Sequence, residues 1–188
     1  MNNKAIFFDK DGVLNKDSGI IWPKVERPYD GVGDIIASFI SKGYLIFIIT
    51  NRTEVARGLA TESEIEKYLH DFELQILKQN KHAIISKSYY CPHHLRATVA
   101  AYRVNCECRK PKSGLLIKAQ EEYRIDLRNS YLVGDRVSDI VAGNRVGLKT
   151  ILLIGEKSFE APIVGCYGSE NFNPYHKITQ LSQLYELI

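Results

Sequence analysis

A chain of 188 residues that is 45% hydrophobic is long enough to bury a full core, and its formal net charge of +3 is spread without a long basic run. That balance gives no electrostatic case for nucleic acid or an anionic membrane, and the longest apolar stretch, YLIFII at 44–49, is far too short to span a bilayer. The opening MNNKAIFFD lacks the long apolar region and small-residue cleavage site of a signal peptide, so a cytoplasmic protein is expected.

Short runs rich in Ile, Val, Phe and Tyr recur along the chain: AIFFD at 5–9, YLIFIITN at 44–51, HAIISKSYY at 82–90, SYLVGD at 130–135 and KTILLIG at 149–155. They are apolar without clean alternation, which suits strands buried on both faces, as in a parallel sheet. Helical spacing of apolar residues fills the gaps at 34–42, 61–80, 113–125 and 138–147. The second of these opens with Thr61 and Glu64 placed as a capping box and continues through Ile65, Leu69, Phe72 and Ile76. Strands alternating with helices predict an α/β fold: a doubly wound, Rossmann-like parallel sheet with helices on both faces. With no repeat or linker-like stretch, one domain over 1–188 is expected, acting as a monomer. In such sheets ligands bind beyond the carboxyl ends of the strands.

Two acidic clusters fall there. The first strand runs into FFDKDGVLN, with Asp9 and Asp11 two residues apart and Gly12 to turn the chain; the fourth runs into VGDRVSD, with Asp135 and Asp139. Carboxylates gathered by neighbouring strands repel one another unless a cation neutralises them, and hard oxygen donors in an open site suit Mg²⁺. The bland alternative is that Asp9 and Asp135 only cap the helices that follow. The polar strand end Thr50-Asn51-Arg52 argues for a site instead.

Between the third strand and the third helix lies YYCPHHLRATVAAYRVNCECRKPKSG, holding three of the four cysteines. Cys91-Pro92-His93, twelve residues, then Cys106-Glu107-Cys108 offer three thiolates and an imidazole, a closed tetrahedral set for a structural Zn²⁺. His94 can replace His93 as the ligand, since sequence does not orient the ring. Cys166, far away in VGCYG, reads as an ordinary core or loop thiol. The loop has too few large apolar residues to fix itself by packing, so the metal is expected to hold it and to aim Arg109 and Lys110, which follow at once.

DKDGVLN resembles the first motif of the haloacid dehalogenase superfamily of phosphohydrolases. Thr50 after IFIIT resembles the second, Lys110 the third and GDRVSD the fourth, in family order, from about Lys4 to Gly155. The resemblance implies that Asp9 is a nucleophile forming an aspartyl phosphate and that Asp11 is the general acid and base. It also implies that Asp9, the Asp11 carbonyl and Asp135 hold Mg²⁺ with Asp139 in support, and that Thr50 and Lys110 bind the transferring phosphoryl group. The CxH…CxC insert before RKP, with TN…ARG at 50–58, resembles the zinc-bearing D-glycero-D-manno-heptose 1,7-bisphosphate phosphatases and their relatives, the histidinol-phosphate phosphatases. These lack a large cap domain, and their resemblance implies removal of the 7-phosphate of a heptose 1,7-bisphosphate, with histidinol phosphate as the alternative substrate. Asn51, Arg52, Arg57 and Arg109 then become further candidates for phosphate or substrate binding.

Two departures stand out: TNRTE replaces the family's TNQSG, and loop 18–31 carries an unusual Trp22-Pro23. Arg52 reads either as a phosphate ligand or as a solvated cation, and Trp22 either lines the pocket or covers core. A third class, a zinc knuckle that binds nucleic acid or protein, has only Arg96, Tyr102 and Arg103 between the zinc ligands to support it.

Overall fold

In the computed structural model, which describes residues 2–20, 22–24, 26–155 and 172–188, six parallel strands form one sheet in the order β3-β2-β1-β4-β5-β6. The strands are β1 (Lys4–Phe8), β2 (Tyr44–Asn51), β3 (Lys87–Cys91), β4 (Tyr131–Gly134), β5 (Lys149–Leu153) and β6 (His176–Ile178). The helices are α1 (Val32–Ser41), α2 (Thr53–Ala56), α3 (Glu62–Gln79), α4 (Gly114–Tyr123), α5 (Val137–Arg145) and α6 (Leu184–Leu187). This is the expected doubly wound α/β sheet.

The apolar runs are buried on both faces because each feeds two cores. From β1, Ile6 and Phe8 join Ile36 and Phe39 of α1 and Phe72 and Ile76 of α3. Ala5 and Phe7 point the other way, to Phe47, Ile49 and Leu115, Leu116 and Ala119 of α4. Phe7 stacks on Phe47 with ring centroids 5.2 Å apart. The α3 capping box forms as read: the Thr61 hydroxyl accepts from Glu64 N at 3.2 Å, and Glu64 Oε2 accepts from Thr61 N at 2.8 Å.

The reading of the third strand needs correcting. The third strand begins at Lys87 rather than His82, since its ladder with β2 starts at the Phe47–Lys87 pair, and it runs on to Cys91. The short α2, β6 and α6 were not anticipated; β6 has three residues and alternates too little to show in sequence. Cys166 lies outside the described residues. No helix among the described residues is long and apolar enough to cross a membrane.

Candidate active site

β1 sits between β2 and β4, with Phe8 opposite Ile48 on one side and Val133 on the other. The residues that follow these strands therefore gather in one crevice at the carboxyl end, where the winding of the sheet reverses. Asp9 continues the ladder for one bond, its N–H donating to Val133 O at 2.9 Å. Asp9, Asp135 and Asp139 each bring a carboxylate oxygen within 4.8 Å of the others, and all three are buried. Gly12, at φ +92°, turns the chain beneath them; a Cβ there would overlap Asp135 Oδ2, so only glycine leaves room for that carboxylate.

Lys110 enters this group from the opposite side. Its Nζ lies 2.6 Å from Asp9 Oδ1 and 2.6 Å from Asp139 Oδ1, and donates to Ile49 O at 3.0 Å. Asn51 grips the Lys110 peptide unit from both sides: its Oδ1 accepts from Lys110 N at 3.1 Å and its Nδ2 donates to Lys110 O at 3.2 Å. Asn51 thus places the lysine, and it also lines the cleft described below.

One cation does not neutralise three carboxylates. Burial pushes Asp9 up to about 6 despite Lys110, with Asp139 adding to the rise. Burial, with Asp9 and Asp139 beside it, pushes Asp135 up to about 8. Asp135 Oδ1 is buried without a hydrogen-bond partner. An unsatisfied acceptor among crowded carboxylates fits a hard cation. Asp11 differs: burial raises it, but Lys10 and Arg52 more than offset this and hold it below the usual carboxylate range.

Behind Lys110 sits the cysteine cluster. Cys91, Cys106 and Cys108 hold their sulfurs 3.1 to 3.5 Å apart, too far for a disulfide. His93 Nδ1 closes the group, 3.4 Å from Cys108 Sγ and 3.8 Å from Cys91 Sγ. These spacings approach the roughly 3.8 Å edge of a tetrahedron with metal–sulfur bonds of about 2.3 Å, so the cluster could hold zinc. His94 faces elsewhere, its Nδ1 accepting from Arg96 N at 3.0 Å. Cys91 ends β3 directly beside Asn51, so the cluster and the residue that grips Lys110 share one rung of the sheet.

A cleft of about 820 Å³ opens over Asp9, Asp11, Thr50 and Lys110, walled by the loop after β3 and by Arg96, Arg109, Lys112, Arg136 and Arg145. Arg109 also donates to His93 O at 3.0 Å. Arg136 reaches Asp17 Oδ2 at 2.6 Å across the mouth, and Arg145 donates to Pro111 O at 2.8 Å. Of these cations only Arg109 was expected to meet substrate. The others escaped because a charge near a helix end or in a polar loop reads as a solvated face. Arg57 is exposed and does not line the cleft. Arg52 is neither solvated nor open to a ligand on all sides: it is buried and paired with Asp11 and Glu54. Trp22 packs with Val55, Ile65, Tyr68 and Leu69, covering a small core.

A doubly wound sheet that carries clustered aspartates on adjacent strand ends, with a buried lysine between them, is the framework of a haloacid dehalogenase-type hydrolase. The chain belongs to that family, and within it groups with the D-glycero-D-manno-heptose-1,7-bisphosphate 7-phosphatases. A hydrolase-like (HAD-hydrolase-like) family model matches residues 107–181. The D-glycero-alpha-D-manno-heptose-1,7-bisphosphate 7-phosphatase of Campylobacter jejuni is 36% identical over 165 residues, which cover 85% of this chain and 87% of that protein. The D-glycero-beta-D-manno-heptose-1,7-bisphosphate 7-phosphatase of Escherichia coli K12 is 34% identical over 156 residues, 81% of this chain and 80% of that one. The crystal structure of the D,D-heptose 1,7-bisphosphate phosphatase of B. bronchiseptica, complexed with magnesium and phosphate, shares the fold. It matches with a TM-score of 0.77 at 22% identity over 98% of this chain and 99% of that chain.

Proposed function

We propose that this protein is a Mg²⁺-dependent phosphomonoesterase that removes the 7-phosphate of D-glycero-D-manno-heptose 1,7-bisphosphate through an aspartyl phosphate on Asp9. The observation that carries the reading is the cleft itself. Its floor pairs Asp9 with Lys110 at 2.6 Å, and its walls bring five further cations, enough for a ligand with a phosphate at each end. The relatives' shared substrate supports the same choice. They include enzymes named for either anomer.

Asp9 attacks phosphorus as the bond from phosphorus to the sugar oxygen breaks, and Asp11, which the negative charge of the bound phosphate draws back towards its protonated form, delivers a proton to that oxygen. Asp11 then draws a proton from the water that attacks the aspartyl phosphate, releasing inorganic phosphate and restoring Asp9. Lys110 and Thr50 hold the transferring oxygens while charge builds on them. Asp139 keeps Lys110 aimed, and Asn51 fixes its backbone. Asp9, the Asp11 carbonyl and Asp135 would hold Mg²⁺, which supplies positive charge against the phosphoryl group. Cys91, His93, Cys106 and Cys108 would hold a structural Zn²⁺. The enzyme acts in the cytoplasm as a single domain, and its product feeds synthesis of nucleotide-activated heptose.

Side-by-side turnover of the α and β heptose 1,7-bisphosphates and histidinol phosphate tests the substrate. One heptose anomer is expected to lead histidinol phosphate by roughly 100-fold or more in kcat/KM, because the second phosphate meets cations that histidinol cannot use. A lead for histidinol phosphate would overturn the assignment.

The acid role of Asp11 makes a separate forecast. Asp11→Asn should slow the sugar phosphate by roughly 100-fold or more, yet slow p-nitrophenyl phosphate far less, since that leaving group departs without a proton. Equal losses on both substrates would count against Asp11 as the acid.

The crowded carboxylates also tie stability to pH. In the metal-free native state Asp9 and Asp135 keep protons up to about 6 and about 8, whereas unfolded carboxyls near 4 have already lost theirs. The native state therefore binds more protons across that window, and the contribution of these groups to stability falls as pH rises through it. A cation competes with those protons. Mg²⁺ is expected to raise Tm more at about pH 8 than at about pH 6, as read by scanning fluorimetry. An increment that ignores pH would argue against binding by these carboxylates.

A further inference from the structure

Arg52 and Glu54 stand where the chain departs from its family's pattern, and both side chains are buried, 7% and 4% exposed. The Arg52 guanidinium spans two carboxylates: one terminal nitrogen donates to Asp11 Oδ2 at 2.7 Å and the other to Glu54 Oε1. Its face lies over the Tyr68 ring, 5.0 Å from the centroid. Asp11 Oδ1 is taken from the other side by Lys10 Nζ at 3.0 Å and Asn15 Nδ2 at 2.9 Å. Both oxygens of Asp11 are therefore held, and its plane is set by three buried side chains.

A buried ion pair adds little net stability, because desolvating two charges offsets their attraction. What it fixes is position. We propose that Arg52, anchored by Glu54, is a positioning residue that sets the Asp11 carboxylate against the leaving oxygen and so favours substrates with poor leaving groups. The proposal rests on the reading of Asp11 as the general acid. As the bond from phosphorus to the sugar oxygen breaks, Asp11 gives that oxygen its proton and is left as a carboxylate, which Arg52 and Lys10 stabilise where it stands. The fork matters as well as the charge: a lysine has no planar pair of donors to reach Asp11 and Glu54 together.

The test measures kcat and KM on heptose 1,7-bisphosphate and on p-nitrophenyl phosphate. Glu54→Leu removes the anchor and is expected to lower kcat on the sugar phosphate by roughly 10- to 100-fold, with p-nitrophenyl phosphate turnover within about threefold of wild type. Arg52→Lys should match it on the sugar phosphate. The double variant Arg52→Met, Glu54→Leu removes both buried charges, so its Tm should equal or exceed that of wild type while the selective loss remains. Equal losses on both substrates would mark the pair as merely structural. Full sugar-phosphate turnover in Arg52→Lys or in the double variant would overturn the proposal. Asp11→Asn run beside them separates the two readings. If it is selective and Glu54→Leu is not, the positioning role fails alone; if it is not selective, the acid assignment and the positioning role fall together.

Discussion

Asp9→Asn is expected to lower kcat by roughly 10⁴-fold or more while leaving the fold intact, because an amide cannot form the aspartyl phosphate on which turnover depends. Asparagine keeps the shape of the side chain, and Lys110 keeps Asp139 at 2.6 Å and Ile49 O at 3.0 Å. The substitution gives up the ion pair with Lys110, but it removes the burial cost of one carboxylate and its repulsion on Asp135. Tm in the absence of metal should therefore hold or rise by a few degrees, the signature of a site whose charges serve the reaction at a cost to stability. Phosphate release on the sugar bisphosphate and a melting curve on the same sample settle both halves. Residual turnover within about tenfold of wild type would remove Asp9 from the nucleophile's place.

Cys106→Ser or Cys108→Ser is expected to release the zinc that otherwise co-purifies at about one equivalent per chain, and to lower kcat/KM by roughly 10- to 100-fold. Away from the cluster the loop after β3 is tied down mainly by hydrogen bonds, from Thr98 N and Val99 N to Ala56 O at 2.9 and 3.1 Å and from the Tyr102 hydroxyl to Glu62 Oε1 at 2.9 Å, while Leu95, its largest aliphatic side chain, is 65% exposed. Losing the cluster frees Arg96 and Arg109 from their stations on the cleft wall. Lys110 is less dependent on the metal, since Asn51 grips its peptide unit and Asp9 and Asp139 hold its ammonium. The damage should therefore fall on KM for a bisphosphate more than on kcat, with a modest drop in Tm because the sheet does not need this loop. Mild EDTA should instead strip only Mg²⁺, stopping turnover reversibly while the zinc stays. Metal analysis that finds no zinc, together with untouched kinetics in Cys106→Ser, would sink the account of why cysteines precede the cations.

β1, β2, β4 and β5 were legible because strands buried on both faces are written almost wholly in apolar residues. HAIIS at 82–86 has the same composition yet is not strand: Ile84 is 62% exposed, and β2 offers a ladder partner only from Phe47 onward. Pairing partners, which composition does not carry, decided that boundary. In the site, Asp9, Asp135, Lys110 and the thiolates show in sequence because their spacing and order are unusual. The burial of Arg52 and Glu54 does not, since a charged residue is exposed by default and only the three-dimensional meeting with Asp11 and Tyr68 makes a pair of them. The grip of Asn51 on Lys110 escaped for a related reason. Its amide matches a backbone unit 59 residues away, and nothing local announces that.

Every reactive group described above hangs from the carboxyl ends of β1, β2, β3 and β4, and the opposite rim of the sheet carries none of them. The turn at Lys42-Gly43 lies on that rim, at the start of β2, and open space surrounds Gly43. The eight residues of β2 put roughly 25 Å of rigid strand between that turn and the cleft. The molecule thus has a handle as well as a mouth. A linker to a solid support, or a fused reporter spliced in at 42–43, would grip the enzyme from behind and leave the cleft facing solvent.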